Sequence, residues 1–208
     1  MYTLYARAGS GSAAPEAILA ECGVEFRLID VPRSGQAFKD YLRINPLGKV
    51  PSLQLPDQNL MTESAAIVIY LADNYSSAKL APTLDSPLRQ AYLRWILYFA
   101  SSVYSNSLRY YYPARNSMDE SAASGIKAKA VIDLDEDFSI FSNALGNGPY
   151  ILDSVFSAAD IYAAMLVSWA PDVSAVFSRH PNIKRHYDLV VVRPKINPVW
   201  KRNEMLFA

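Results

Sequence analysis

The feature that most constrains this chain is a change of hydrophobic period partway along it. Up to about Asn74, short β-prone runs alternate with short helical ones; beyond Leu88 every apolar repeat is helical. Tyr2–Tyr5 reads as a strand, and Pro15–Glu21 as a helix with proline in its first turn and Gly23 as its stop. Glu25–Val31 alternates apolar and polar residues, as a half-buried strand does. Phe38, Tyr41 and Leu42 share a helical face that Asn45-Pro46 ends. Val50–Leu55 and Leu60–Thr62 form a hairpin around Pro56-Asp57-Gln58-Asn59, and Glu63–Asn74 follows as an amphipathic helix burying Ile67, Tyr70 and Leu71. The order is β-α-β-α-β-β-α.

Tyr75–Pro87 is polar, proline-containing and without period, so it reads as a linker. After it, Leu88, Tyr92, Trp95, Phe99, Val103 and Leu108 mark a long helix ending before Pro113, and Ala123 to Leu145 a second. Ser157–Trp169 and Ile183–Val192 supply at least two more. The expected organisation is a mixed α/β domain over residues 1–77 and an all-helical domain over 86–208.

Composition removes several function classes. Lys+Arg and Asp+Glu both total 20, so the basic excess of a nucleic-acid binder is missing. No apolar run reaches the length of a membrane span, and the N-terminus does not read as a signal peptide. Cys22 is the one cysteine, with no Cys/His cluster at metal-ligand spacing, so neither a disulfide framework nor a bound metal is expected. A cytoplasmic setting follows as the expectation. Cys22 reads as a small filler, and His180 and His186 as surface or capping residues, since neither has a paired nucleophile.

Three segments carry chemistry. Asn45-Pro46-Leu47-Gly48-Lys49-Val50-Pro51 stands directly before the hairpin, with Pro51 at a strand start, where only one ladder donor is lost. Thr62-Glu63-Ser64 opens a helix. Such a start attracts anions through free N–H groups and the positive end of the dipole. Ser64 could equally be a simple N-cap, with Glu63 as a favourable charge. Phe156-Ser157-Ala158-Ala159-Asp160-Ile161 holds a capping box that should begin a core helix and stabilise it by ~0.5–2 kcal/mol.

In this order and at these distances, the three segments resemble the cytosolic glutathione transferases, especially the bacterial beta-like group, from Tyr2 to about Pro194. The resemblance implies a thioredoxin-like N-terminal domain and an all-α C-terminal domain. It also implies a homodimer, glutathione as co-substrate, and a small apolar or aromatic electrophile as second substrate. The likeness to thioredoxin-like folds further implies a cis Val50-Pro51 bond, turning the Val50 N–H and C=O outward as an edge for a peptide backbone. Lys49, Val50, Pro51, Glu63 and Ser64 would then hold glutathione. The Ser64 N–H and Oγ would receive the γ-glutamyl carboxylate, and Glu63 its ammonium.

The thiolate-stabilising residue is less direct. A free thiol has a reference pKa of ~8.5, so a donor near the first helix must favour the sulfur anion. Beta-like relatives carry a cysteine where Gly11 stands here. Ser10 is the first choice as donor. Ser12 is the second, though it could instead cap the helix by accepting from the Ala14 N–H, because Pro15 has none. Backbone N–H groups alone are the third. In the long helix Tyr104-Ser105 replaces a His-Lys pair of beta-like relatives. Tyr104, Arg109 and Tyr111 are the candidates for a second-substrate wall, against core or interface packing. The reading is conjugation of glutathione to an electrophile. The alternatives are a non-catalytic glutathione- or ligand-binding protein and a thiol-disulfide enzyme, which needs a cysteine near Ser10.

Overall fold

The computed structural model describes residues 1–207, which form two compact units. The first comprises Met1–Thr83 and Val191–Leu206; the second is Leu84–Val190 with Phe207. The expected α/β domain is thus completed by the end of the chain. Helical periodicity shows that a segment is helical but not which unit it packs on, and Trp200 is fully buried in the first.

In the first unit β1 (Tyr2–Ala6), α1 (Ala13–Cys22), β2 (Phe26–Asp30), α2 (Gly35–Ile44), β3 (Ser52–Gln54), β4 (Leu60–Met61) and α3 (Ser64–Asn74) follow the expected order. The sheet order is β2-β1-β3-β4. β2 runs parallel to β1, with Leu4 opposite Leu28, whereas β3 is antiparallel to both β1 and β4. Strand alternation sends Tyr5 to one face, where it meets Val31, Tyr41 and Phe38. Leu4 and Ala6 are completely buried on the other. α1 packs against α3 and the last helix. It ends where Gly23 adopts φ 68°, and the Gly23 and Val24 N–H groups bond the Ala20 and Leu19 carbonyls.

The second unit contains α4 (Arg89–Tyr98), α5 (Tyr104–Tyr111), α6 (Ala123–Leu145), α7 (Ala158–Val167), α8 (Val173–Arg179) and α9 (Pro181–Val191); α10 (Asn197–Arg202) returns to the first unit. The long helix expected from Leu88 is α4 and α5 joined by a π-helical turn, Phe99–Val103. Helical spacing onward from Val103 brings Asn106 and Ser107 inside and leaves Leu108 exposed, against the apolar repeat read from sequence. α7 is buried along its whole length. Asp160 at its start accepts from the Ser157 and Ile151 N–H groups, both at 2.8 Å. His186 is no surface residue: it is fully buried, its Nε2 lies 3.0 Å from Asp160, and its ring meets Phe141 edge-on. Among the described residues, no helix is long and apolar enough to cross a membrane.

Candidate functional site

Between β1 and α1 the loop Arg7–Ser12 folds back on itself through hydroxyls. The half-buried Ser10 donates its Oγ proton to the Arg7 carbonyl at 2.6 Å. The buried Ser12 Oγ accepts from the Arg7 N–H at 3.1 Å and lies 3.0 Å from the same carbonyl. The two hydroxyl oxygens are 2.8 Å apart, and the Ser12 N–H reaches Ser10 Oγ at 3.3 Å. Ser12 stands at the N-cap position, but no N–H of α1 bonds its side chain. Its backbone is already helical, at φ −76° and ψ −17°, whereas a capping serine usually adopts β-region angles. Its hydroxyl serves Arg7 instead.

The segment before β3 is held by polar groups of α2 and its C-cap residue, Asn45. Val50-Pro51 is cis. The Tyr41 hydroxyl donates to the Lys49 carbonyl at 2.6 Å, and Asn45 Nδ2 donates to it at 2.9 Å. Both side chains also meet Ser52 Oγ, at 2.7 and 2.9 Å. The Asn45 Oδ1 accepts from the Leu47 N–H at 3.1 Å, which shapes the turn. Gly48 completes that turn at φ 61°, where a Cβ would press on Phe38 and Leu42 at 3.0 Å. Among the described residues, the Val50 N–H and C=O have no hydrogen-bond partner. Lys49 is exposed.

Glu63 and Ser64 stand at the start of α3. Glu63 is exposed and holds φ 64° with ψ 109°, a conformation that side-chain-bearing residues rarely adopt and that clusters at ligand sites. Its carbonyl accepts the first helix bond, from the Ile67 N–H at 2.9 Å. Ser64 is the first helical residue, at the positive end of the helix dipole. Ser10, Lys49, Val50, Pro51, Glu63 and Ser64 all belong to the first unit.

The remaining candidates lie in the second unit and divide into two sets. Tyr104 meets Trp169 edge-on with ring centroids 5.0 Å apart, and the Tyr111 hydroxyl donates to the Trp169 carbonyl at 3.0 Å. Burial pushes the Tyr111 phenol up from its ordinary pKa. Arg109 does not join them. It bonds Asn106 Oδ1 at 3.0 Å and pairs with Asp133 at 3.7 Å, and Asn106 in turn holds the buried Asp137, which also accepts from Tyr98. Cys22 stands on the last turn of α1, and burial together with the Glu21 charge pushes its thiol up to about 11.

From the sequence, Tyr41 and Asn45 read only as a helix face and its end, and Trp169 as packing, with no supporting part at the site. The first two were legible as a pair: a tyrosine four residues before an Asn-Pro helix end puts two polar groups on one helix face. Trp169 carried no such signal and reads simply as packing.

Comparison with known proteins agrees in both halves. Residues 15–74 match the family model of the glutathione S-transferase N-terminal domain, and residues 118–194 that of the C-terminal domain. The chain is 29% identical over 210 residues to the uncharacterized GST-like protein YncG of Escherichia coli K12, covering 99% of this chain and all of that one. It is 26% identical to glutathione S-transferase GstA of E. coli O157:H7, over 93% of this chain and 94% of the other. Among solved structures, a glutathione transferase homolog from Sulfitobacter with bound glutathione superposes with a TM-score of 0.88 at 26% identity, covering 99% of each chain. With both domain models matched and the fold reproduced end to end, the chain belongs to the glutathione S-transferase family.

Proposed function

We propose that this protein conjugates glutathione to a small apolar or aromatic electrophile, with the Ser10 hydroxyl stabilising the thiolate. The observation that carries the reading is the unpaired Val50 backbone, in the same unit as the α3 start and the Ser10 loop. An extended peptide binds such an edge through main-chain hydrogen bonds. The cysteinyl N–H and C=O of glutathione would pair with Val50 beside Pro51. The γ-glutamyl carboxylate would take the Ser64 N–H and Oγ at the positive end of α3, and Glu63 would face the ammonium. The Lys49 ammonium suits the glycyl carboxylate.

At the sulfur end, the Ser10 proton leaves the Arg7 carbonyl and turns to the thiolate. Ser12, 2.8 Å away, then donates to Ser10 Oγ and polarises it. The thiol proton passes to solvent, the sulfur lone pair forms the new C–S bond, and with an aryl halide the C–X electrons depart with the halide. Tyr104 and Tyr111, both set by Trp169, offer the aromatic wall for the second substrate. Arg109, compensated by Asp133, supports the helix pair rather than the substrate. The family resemblance carries a homodimer into this proposal.

One observation favours a second reading, a glutathione-binding protein with little turnover. The Ser10 proton is committed to a carbonyl, and the family resemblance implies a cysteine where Gly11 stands. Both readings share the pocket. Wild type should be retained on immobilised glutathione and elute with free glutathione, and the double variant Glu63→Ala/Ser64→Ala should pass through. Full retention of the double variant would overturn the pocket.

A further inference from the structure

We infer that Asn203, almost at the end of the chain, is a positioning residue for the thiolate-stabilising loop, so that the C-terminal segment is part of the glutathione half of the site. This rests on the Ser10 role proposed above. Asn203 follows α10 and is 1% exposed. Its Oδ1 accepts from the Gly9 N–H at 3.2 Å, across 194 residues of sequence. Its Nδ2 donates to Glu16 Oε2 at 3.2 Å and to the Val199 carbonyl at 2.8 Å, so no part of the amide is free to rotate.

Each partner is itself fixed. Glu16, buried in the first turn of α1, is gripped by Arg202, whose Nε lies 2.8 Å from Oε1 and whose Nη2 contacts Oε2. Arg202 also reaches Asp30 at the end of β2, at 3.2 Å. The α10 end therefore ties together the first turn of α1, the end of β2 and the residue preceding Ser10. Gly9 adopts φ 68° and is exposed, a backbone that would otherwise have wide freedom. The Ser10 backbone is held within the loop, its N–H on the Arg7 carbonyl at 3.3 Å and its C=O accepting from the Ala13 N–H at 3.1 Å; the Asn203 bond to Gly9 adds a restraint from outside the loop on how far Ser10 can shift when its hydroxyl changes partners. Reaction geometry is sensitive at this scale: a misplacement of about 1 Å can lower a rate by roughly a hundredfold.

The role acts on sulfur and not on peptide binding, so it predicts a split between kinetic parameters. In Asn203→Ala, kcat for an aryl halide should fall on the order of tenfold, and the acid limb of the kcat/KM profile should move to higher pH. The KM for glutathione should stay close to wild type. Arg193→Met, which breaks the pair with Glu21 on the last turn of α1 and touches neither Glu16 nor Asn203, serves as the stability control. It should lower Tm while leaving the acid limb in place. An Asn203→Ala protein with lowered Tm and an unmoved pH profile would make Asn203 merely structural and overturn the inference. If Asn203→Ala does not fold, amide exchange in wild type decides. A Gly9 amide that is protected, and whose signal shifts on glutathione addition, supports the link; one exchanging as fast as open loop overturns it. Absence of any turnover in wild type would instead sink the conjugating role on which the inference stands.

Discussion

The Tyr41 hydroxyl donates a 2.6 Å hydrogen bond to the Lys49 carbonyl and meets Ser52 Oγ on the other side of the cis Val50-Pro51 bond. One α2 side chain thus bridges both flanks of the backbone edge proposed to receive glutathione. Removing the hydroxyl leaves a buried Ser52 Oγ and the Lys49 carbonyl with only Asn45 as partner. Tyr41→Phe should lower stability by about 1–2 kcal/mol in urea titrations. It should also weaken retention on immobilised glutathione with less effect on the turnover of bound glutathione.

Asp160 predicts a larger loss. A capping box alone stabilises by ~0.5–2 kcal/mol, but this carboxylate also serves the Ile151 N–H and the fully buried His186. Asp160→Ala strands several buried donors at once, so roughly 3 kcal/mol or more should disappear from the unfolding free energy. Asp160→Asn should recover little of it, because its NH2 would face a donor. Equilibrium unfolding of both variants is the check.

The thiol of Cys22 should be slow to react. Burial first, and then the Glu21 charge, push its pKa up to about 11, so at neutral pH its thiolate fraction lies far below that of an unperturbed thiol. Alkylation should accelerate steadily as pH rises towards 11. Cys22→Ala should leave conjugation intact, since nothing in the proposed chemistry draws on it. Fast labelling at neutral pH would contradict this reading of its surroundings.

Much of this architecture is visible in the sequence because it is local. The period change, Gly23 as a helix stop, and Ser157 with Asp160 all act over a few residues, and α6 spans the expected Ala123–Leu145. What escaped is long-range or offset. Nothing near His186 in sequence announces Asp160, 26 residues away, and nothing in Val191–Leu206 announces that it packs on the α/β unit. The π-helical turn before Tyr104 is equally silent, so Leu108 read as core although Asn106 and Ser107 take the inside positions. At the site, residue types narrowed the loop to Ser10 and Ser12. Only coordinates reveal that both hydroxyls converge on Arg7 and that Ser12 does not cap α1.

Conjugation, as proposed, turns on Ser10 stabilising the thiolate with Ser12 behind it. The most direct measurement is the conjugation rate of a generic aryl halide by wild type, Ser10→Ala and Ser12→Ala, each first shown to bind immobilised glutathione. Ser10→Ala should lower kcat by about 100-fold or more and Ser12→Ala by less, with binding retained in both. Wild-type turnover by Ser10→Ala, or binding by the wild type without turnover, would contradict the proposed role.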